Sequence, residues 1–422
     1  MYDVIVIGAR AAGAPTAMLL ARKGYKVLLV DRLHYPGDSS LANLVQLKGC
    51  AALKRWGLLQ QVQASNCPPV SQALLQVRRY FLQGEYPPLD GLHQTFCPRR
   101  TLLDKILVDA ALESGVELRE DLVVEGLLTE CERVTGIRGR LKSTSALAEL
   151  QVQETAHVVI GADGKHSLVA DAVRAAEYQV RPALSCAYYT YWEGIGPAKA
   201  ELYYLDREAI GLWPTNDGQI VIFAAYPADE FQAIRGNIEA RFWKTVECVP
   251  GLAERLRSGR RVERFYGTAD LPSFYRRPYG PGWALVGDAG MTIDPLTGQG
   301  IGNAFRDAER LVEALDDSLS GRMAFETALA RYENERNVDT LPMYELTGGL
   351  VAFGPTPGVQ QALLAALMNE KNGASWVLGA LSGSVPVNEL FSPASLLRII
   401  GLKGMFQLLS PISKFANHDL EQ

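Results

Sequence analysis

The chain has 422 residues, of which 48% are hydrophobic and 21% charged, and a formal charge of −5. This composition excludes disorder, collagen-like repeats and a charge-dominated chain, and the mild acidity argues against nucleic acid or an anionic membrane as a general partner. At about 150 residues per domain, the length predicts two or three domains or one large interleaved one. No stretch reaches about 18 uninterrupted apolar residues, so no transmembrane helix is expected. Met-Tyr-Asp runs straight into Val4-Ile5-Val6-Ile7 without a basic segment, which does not read as a secreted precursor. The six cysteines form no Cys-x-x-Cys pair and the five histidines are scattered. Neither a dithiol centre nor a metal site is therefore expected, and reduced thiols in a cytoplasmic protein are the simplest reading.

In chain order, residues 3–7 form a β-branched apolar run that predicts a buried strand. A glycine-bearing turn follows, then a helix over 14–23 and a second strand over 26–30 ending at Asp31. Residues 45–62 and 101–114 show helical spacing, while 72–95 reads as strands and turns. Strands are expected near 117–125, 133–139 and 148–153, with a separate apolar run at 158–160. Residues 185–226 alternate strongly and are rich in aromatics, predicting antiparallel strands, with Asn216-Asp217-Gly218 as a turn. Val286 closes a further short strand, 303–317 reads as a helix, and the last ninety or so residues are rich in helix formers.

Three motifs carry chemistry. In the first, Gly8 permits a tight strand-to-helix turn, Gly13 lets the helix approach the sheet, and the free N–H groups of the helix start face a pyrophosphate. Asp31 can then accept hydrogen bonds from both hydroxyls of an adenosine ribose, with Arg32 beside it. Arg10 stands where the usual fingerprint has a glycine; its Cβ hinders close approach, but its guanidinium can face phosphates. The second motif is a buried strand ending in Gly161-Ala162-Asp163-Gly164. In the third, a strand runs into Gly287-Asp288, followed by Pro295 and the stretch Gly298-Gln299-Gly300-Ile301-Gly302. Asp288 suits a chain of sugar-like hydroxyls, and the N–H groups near Gly298–Gly302 suit negative charge on a ring.

Together these motifs resemble the flavoprotein superfamily typified by p-hydroxybenzoate hydroxylase, which includes single-component FAD hydroxylases, flavin halogenases and geranylgeranyl reductases. The resemblance spans roughly residues 1–330. It implies an α/β fold: a Rossmann-type FAD-binding domain interleaved with an antiparallel β-sheet substrate domain, plus a helical C-terminal tail. The implied division assigns 1–71, 96–183 and 276–330 to the FAD domain, 72–95 and 184–275 to a β-rich substrate domain, and 331–422 to the helical region. By resemblance, Gly8, Arg10, Gly13, Asp31 and Arg32 hold the ADP half of FAD, and Arg100 reaches it from a helix start. Asp163 and Gly164 match an Asp-Gly element tied to FAD and nicotinamide handling. Gly287 and Asp288 serve the ribityl and pyrophosphate region, while Pro295, Gly298, Gly300 and Ile301 lie beside the isoalloxazine. Ala170 stands where that element usually carries arginine, and the Trp-x-Trp-x-Ile-Pro element of tryptophan halogenases is absent.

Only one dinucleotide fingerprint is present, so NADPH or NADH is expected as a transient reductant, or an external reductase supplies the electrons. The first functional reading is an FAD-dependent monooxygenase of an aromatic or other apolar small molecule, using reduced flavin and O2. The alternatives are a reductase of isoprenoid C=C bonds and a non-catalytic binding protein on the same fold, as in the Rab GDP-dissociation inhibitors. The flavin-side loop argues against the last. Tyr189, Tyr191, Trp213 and Phe223 are candidate substrate contacts, weighed against plain sheet core. No histidine stands out as a catalytic base; His166, beside the Asp-Gly element, is the nearest candidate. Lys48 and Arg99 read as surface or phosphate-side charges. The apolar, slightly basic stretch 396–412 reads as a helix packed on its own domain in preference to a membrane contact.

Overall fold

A computed structural model describes residues 1–35, 43–142, 150–196, 199–356, 358–370 and 372–390, and positions 392, 394, 395, 397, 399 and 401. Most of the 396–412 stretch lies outside the described residues. The first strand, Tyr2–Ile7, is buried on both faces: Val4 and Val6 pack beneath helices, while Ile5 and Ile7 pack on the opposite side. This explains a continuous apolar run in place of an alternating one. It pairs in parallel with Val27–Val30 on one side and Leu150–Gly161 on the other. Glu117–Arg119 and Trp283–Leu285 extend this parallel sheet outward, and the antiparallel Tyr279–Gly280 closes the Trp283 edge.

Leu150–Gly161 is one twelve-residue strand, where the sequence suggested two separate runs. Its first half pairs antiparallel with Arg133–Leu141 and alternates between exposed and part-buried positions. Its second half enters the parallel sheet and is almost wholly buried. Two environments on one strand produce two hydrophobic patterns, and the break between them mimics a loop. The 45–62 helix is likewise divided, into Leu47–Trp56 and Leu59–Ala64, because Gly57 caps the first in a left-handed conformation.

The second sheet is built around Ser185–Glu193, Gln219–Pro227, Ala209–Pro214 and Ala200–Tyr204, all antiparallel. Gln72–Val77 joins it in parallel beside Ala200–Tyr204, and Tyr80–Glu85 forms its edge. Its two faces have different jobs. Tyr188, Trp192, Ile210, Leu212, Ile222 and Tyr226 pack on three helices, Phe231–Gly236, Ile238–Glu247 and Leu252–Ser258. These helices fall within a segment expected to be strand-rich. The opposite face, with Leu75, Leu202, Phe223 and Trp213, meets the C-terminal helices. A third, three-stranded sheet joins Glu177–Arg181, Ser273–Arg276 and Met291–Thr292.

Candidate active site

The three motifs meet at the carboxyl ends of the parallel strands, where open α/β sheets bind ligands. Ala162 donates its N–H to the Ile7 carbonyl at 2.8 Å, and Val286 donates to Gly161 at 3.0 Å, so the three turns are stitched side by side. Their glycines are required by this closeness. A Cβ on Gly13 would stand 1.7 Å from the Gly8 carbonyl oxygen, and one on Gly287 2.7 Å from the Ala12 methyl. The helix Gly13–Arg22 starts without a side-chain cap and without an acidic residue in its first turn. Ala14 N–H donates to the Arg10 carbonyl at 3.0 Å and Pro15 has none, which leaves the N–H groups of Ala12 and Gly13 for an anion.

Asp31 is buried and tightly used. Its Oδ2 accepts from the Ala9 N–H at 2.7 Å and the Tyr35 hydroxyl at 2.9 Å, and its Oδ1 accepts from the Leu33 N–H at 2.9 Å. A carboxylate offers about four acceptor positions. With Tyr35 in place one remains on Oδ1, so Asp31 has room for one ribose hydroxyl and takes the expected second only if Tyr35 gives way. Arg32 is exposed beside it. The Arg10 side chain makes no hydrogen bond or ion pair to a described residue, and its charge is felt by Asp104 and Tyr35. The Arg100 guanidinium, expected to reach the cofactor, is committed to Asp104 through three hydrogen bonds of 2.8–3.1 Å from Nε and Nη2, which leaves Nη1.

Asp288 is solvent-accessible yet surrounded by protein, the position of a side chain on the floor of an open groove. It has no hydrogen-bond partner among the described residues. Desolvation by those surroundings raises its pKa above the usual carboxylate range, and Asp307 adds to this, while Lys165 and Arg100 oppose it. Ser167 caps the short helix Leu168–Ala172, and Asp163 Oδ2 accepts from its first N–H, that of Leu168, at 2.7 Å, while Asp163 Oδ1 is buried without a partner. Gly164 follows in a left-handed conformation. Ala170 is buried in the core. His166 is exposed and pairs with Asp270 at 2.6 Å, which also takes Lys165 at 3.1 Å. His166 is therefore an exposed hydrogen-bond partner of Asp270 in place of a buried base.

The flavin-side loop is clamped between the second sheet and the C-terminal helices. Asp294 accepts from Ser185 Oγ at 2.5 Å and from the Leu296 N–H at 3.0 Å. Tyr204 donates to the Leu296 carbonyl, Thr297 shares a hydrogen bond with Thr347 at 2.8 Å, and Gln299 Nε2 donates to the Leu381 carbonyl at 2.9 Å. Gly298 sits at φ +66°, and a Cβ there would meet Leu44 at 2.8 Å. Gly300 and Ile301 open the helix Gly300–Leu319, and nothing lies within 4 Å of where a Gly300 Cβ would point.

Beneath this loop lies an apolar cavity. Tyr189, Trp213, Phe223, Pro295 and Gly298 line it, as do Leu378 and Leu381 from the helix Gly373–Ser382. Tyr191 does not. Its ring is packed under the Arg99 guanidinium at 3.4 Å, and its hydroxyl accepts from Asn43 Nδ2 at 2.8 Å. Tyr191 thus braces the wall and does not form it. Arg99 is correspondingly no phosphate-side charge: it pairs with Glu263 at 2.6 Å behind the cavity. Lys48 is exposed near Arg306, and its pKa is lowered first by desolvation from the surrounding protein and then by that neighbour. Asn43, Gln46, Leu378 and Leu381 were missed as lining residues. Asn43 and Gln46 left a trace as polar positions in an apolar run, but the leucines left none.

Residues 1–235 match the FAD binding domain family. The chain belongs to that family. It is an FAD-dependent oxidoreductase, and the groove fits the cofactor: glycine cradles that a Cβ would fill, an uncapped helix start, and an unpartnered Asp288. Among its relatives are a digeranylgeranylglycerophospholipid reductase from Methanosarcina acetivorans, 26% identical over 79% of this chain and 80% of the relative. A kynurenine 3-monooxygenase from Salinispora tropica is 25% identical over 82% and 78%. The solved structure of the flavin-dependent brominase Bmp2 shares the fold, with a TM-score of 0.79 at 18% identity, covering 97% of this chain and all of that one.

Proposed function

We propose that this flavoprotein is a monooxygenase that inserts one oxygen atom from O2 into an aromatic or other apolar small molecule. The observation that carries the reading is the apolar cavity, which has the flavin-side loop Pro295–Gly298 in its wall and aromatic side chains opposite. Gly8, Gly13 and the N terminus of the first helix would hold the pyrophosphate, Asp31 the ribose, and Asp288 the ribityl hydroxyls. Pro295, Gly298 and the start of the helix Gly300–Leu319 would border the isoalloxazine. When bound and reduced, FAD supplies the electrons that activate O2. The chain's own contribution is to orient the substrate and to keep water out. Leu74, Leu75, Leu202, Val221 and Phe223 give the cavity an apolar wall, and Leu378 and Leu381 close it from the C-terminal side.

Electrons come from NADPH or NADH in transit, or from a separate reductase. The buried Ala170 supplies no cation for a nicotinamide nucleotide, which favours the separate reductase. The deciding measurement supplies reduced flavin chemically under ¹⁸O2 with candidate apolar ligands. One labelled oxygen per product molecule supports the proposal. Saturation of an isoprenoid double bond without label overturns it in favour of a reductase, a reading favoured by the reductase relative.

A further inference from the structure

Two of the cavity's polar lining side chains are paired within the protein, and two others carry a buried oxygen without a partner. Glu201 is paired with Arg255 at 2.6 Å, and Thr297 with Thr347. The others are Asn43 and Gln46, 2% and 7% exposed, whose Oδ1 and Oε1 are buried without a partner. A buried carbonyl oxygen without a partner is costly, and a ligand donor relieves that cost. The Asn43 amide is oriented by its neighbours. Its Nδ2 donates to the Tyr191 hydroxyl, Tyr191 is held beneath Arg99, and Arg99 is held by Glu263. That leaves Oδ1 without a partner, on a residue that lines the cavity. Gln46 stands against the flavin-side loop, with Nε2 3.4 Å from where a Gly298 Cβ would be. No Lys, Arg or His lines the cavity among the described residues, and its one carboxylate is neutralised by Arg255.

We propose that Asn43 and Gln46 are specificity-determining residues that accept hydrogen bonds from an N–H or O–H group of an uncharged, otherwise apolar substrate. This rests on the cavity being the substrate site. It excludes two neighbouring classes: apolar molecules without a donor, which leave both oxygens unpaired, and carboxylates, which find no cation and are repelled by the two carbonyl dipoles.

The test is calorimetric titration of the FAD-loaded protein with four probes of one shape: indole, 1-methylindole, benzofuran and indole-3-acetate. Indole is expected to bind roughly tenfold more tightly than 1-methylindole or benzofuran, and indole-3-acetate not to bind. Asn43→Leu is expected to remove most of the difference between indole and 1-methylindole while leaving FAD absorbance unchanged. Gln46→Leu provides the same comparison if Asn43→Leu fails to fold. Equal binding of indole and 1-methylindole to the parent protein overturns the inference and leaves the cavity as substrate site. Tighter binding of the acceptor benzofuran overturns it by showing the Asn43 amide turned the other way. An FAD-loaded protein that binds none of the four overturns the substrate-cavity reading and this inference with it.

Discussion

The groove proposed for FAD and the cavity proposed for the substrate adjoin each other but are built in opposite ways. The groove is made mostly of backbone: two glycines pressed to within Cβ-excluding distance, helix starts with open N–H groups, and carboxylates at strand ends. Each piece comes from a short contiguous motif. The cavity is made of side chains from segments far apart in sequence, around 43–46, 73–75, 189–223, 295–298 and 378–381. A groove of backbone tolerates almost no added atom, whereas a cavity of side chains tolerates repacking. Substitutions should therefore act sharply on one and gradually on the other.

The largest effect is expected for Gly13→Val. Its Cβ overlaps the Gly8 carbonyl oxygen, so the turn must open. FAD content, read from the visible absorbance of purified protein, should fall at least about tenfold, because rebuilding this turn costs more than a typical single substitution. Retention of full yellow colour would show that the groove is more forgiving than its geometry.

Asp288→Asn comes next. Hydrogen bonds to a charged group contribute about 1.5–3 kcal/mol, so FAD should bind roughly ten- to a hundredfold more weakly in a fluorescence titration. Desolvation raises the Asp288 pKa, so its carboxylate is lost on acidification earlier than an ordinary one. FAD affinity of the parent should begin to fall above the ordinary carboxylate pKa, and Asp288→Asn should flatten that limb. The sign for the cofactor-free protein is reversed. A raised folded-state pKa lowers stability as pH rises through it, so the variant should equal the parent in acid and exceed it slightly at neutral pH.

For the cavity, Leu378→Ala should cost about 2–5 kcal/mol in denaturant unfolding and leave the FAD spectrum intact. Simultaneous loss of FAD would mean that the two regions are less separable than their construction suggests. The smallest effect belongs to a control remote from both. Desolvation pulls the pKa of Asp316 upward, but hydrogen bonds from Tyr25, Lys23 and Arg322 outweigh it and hold the carboxyl at about 2. Asp316→Asn should cost below about 1 kcal/mol at neutral pH. The difference from the parent should shrink as pH falls from the ordinary carboxylate range toward 2, with FAD binding unchanged throughout.

The same contrast explains what could be read in advance. Gly8, Gly13, Asp31 and Asp288 were legible because each acts through a local conformation that its own motif dictates. Tyr189 and Tyr191 were assigned together because they share a strand face; only the first lines the cavity, since Arg99 covers the second. Arg100 was legible as a helix-start cation, but not its commitment to Asp104 four residues on. The helices between Phe231 and Ser258 went unassigned because strong β alternation before them dominated the reading.

The βαβ start, the three glycine-bearing turns, the strand-rich aromatic region and the FAD-binding family they resemble can all be read from the chain. These depend on residues close in the chain, where φ, ψ and hydrogen-bonding needs are set locally. Packing makes Tyr35 share Asp31, brings the C-terminal helix Gly373–Ser382 onto the cavity, and leaves an unpaired oxygen on each of the lining residues Asn43 and Gln46. Burial and partner choice are properties of surfaces brought together from distant segments, and no local pattern encodes which surfaces meet.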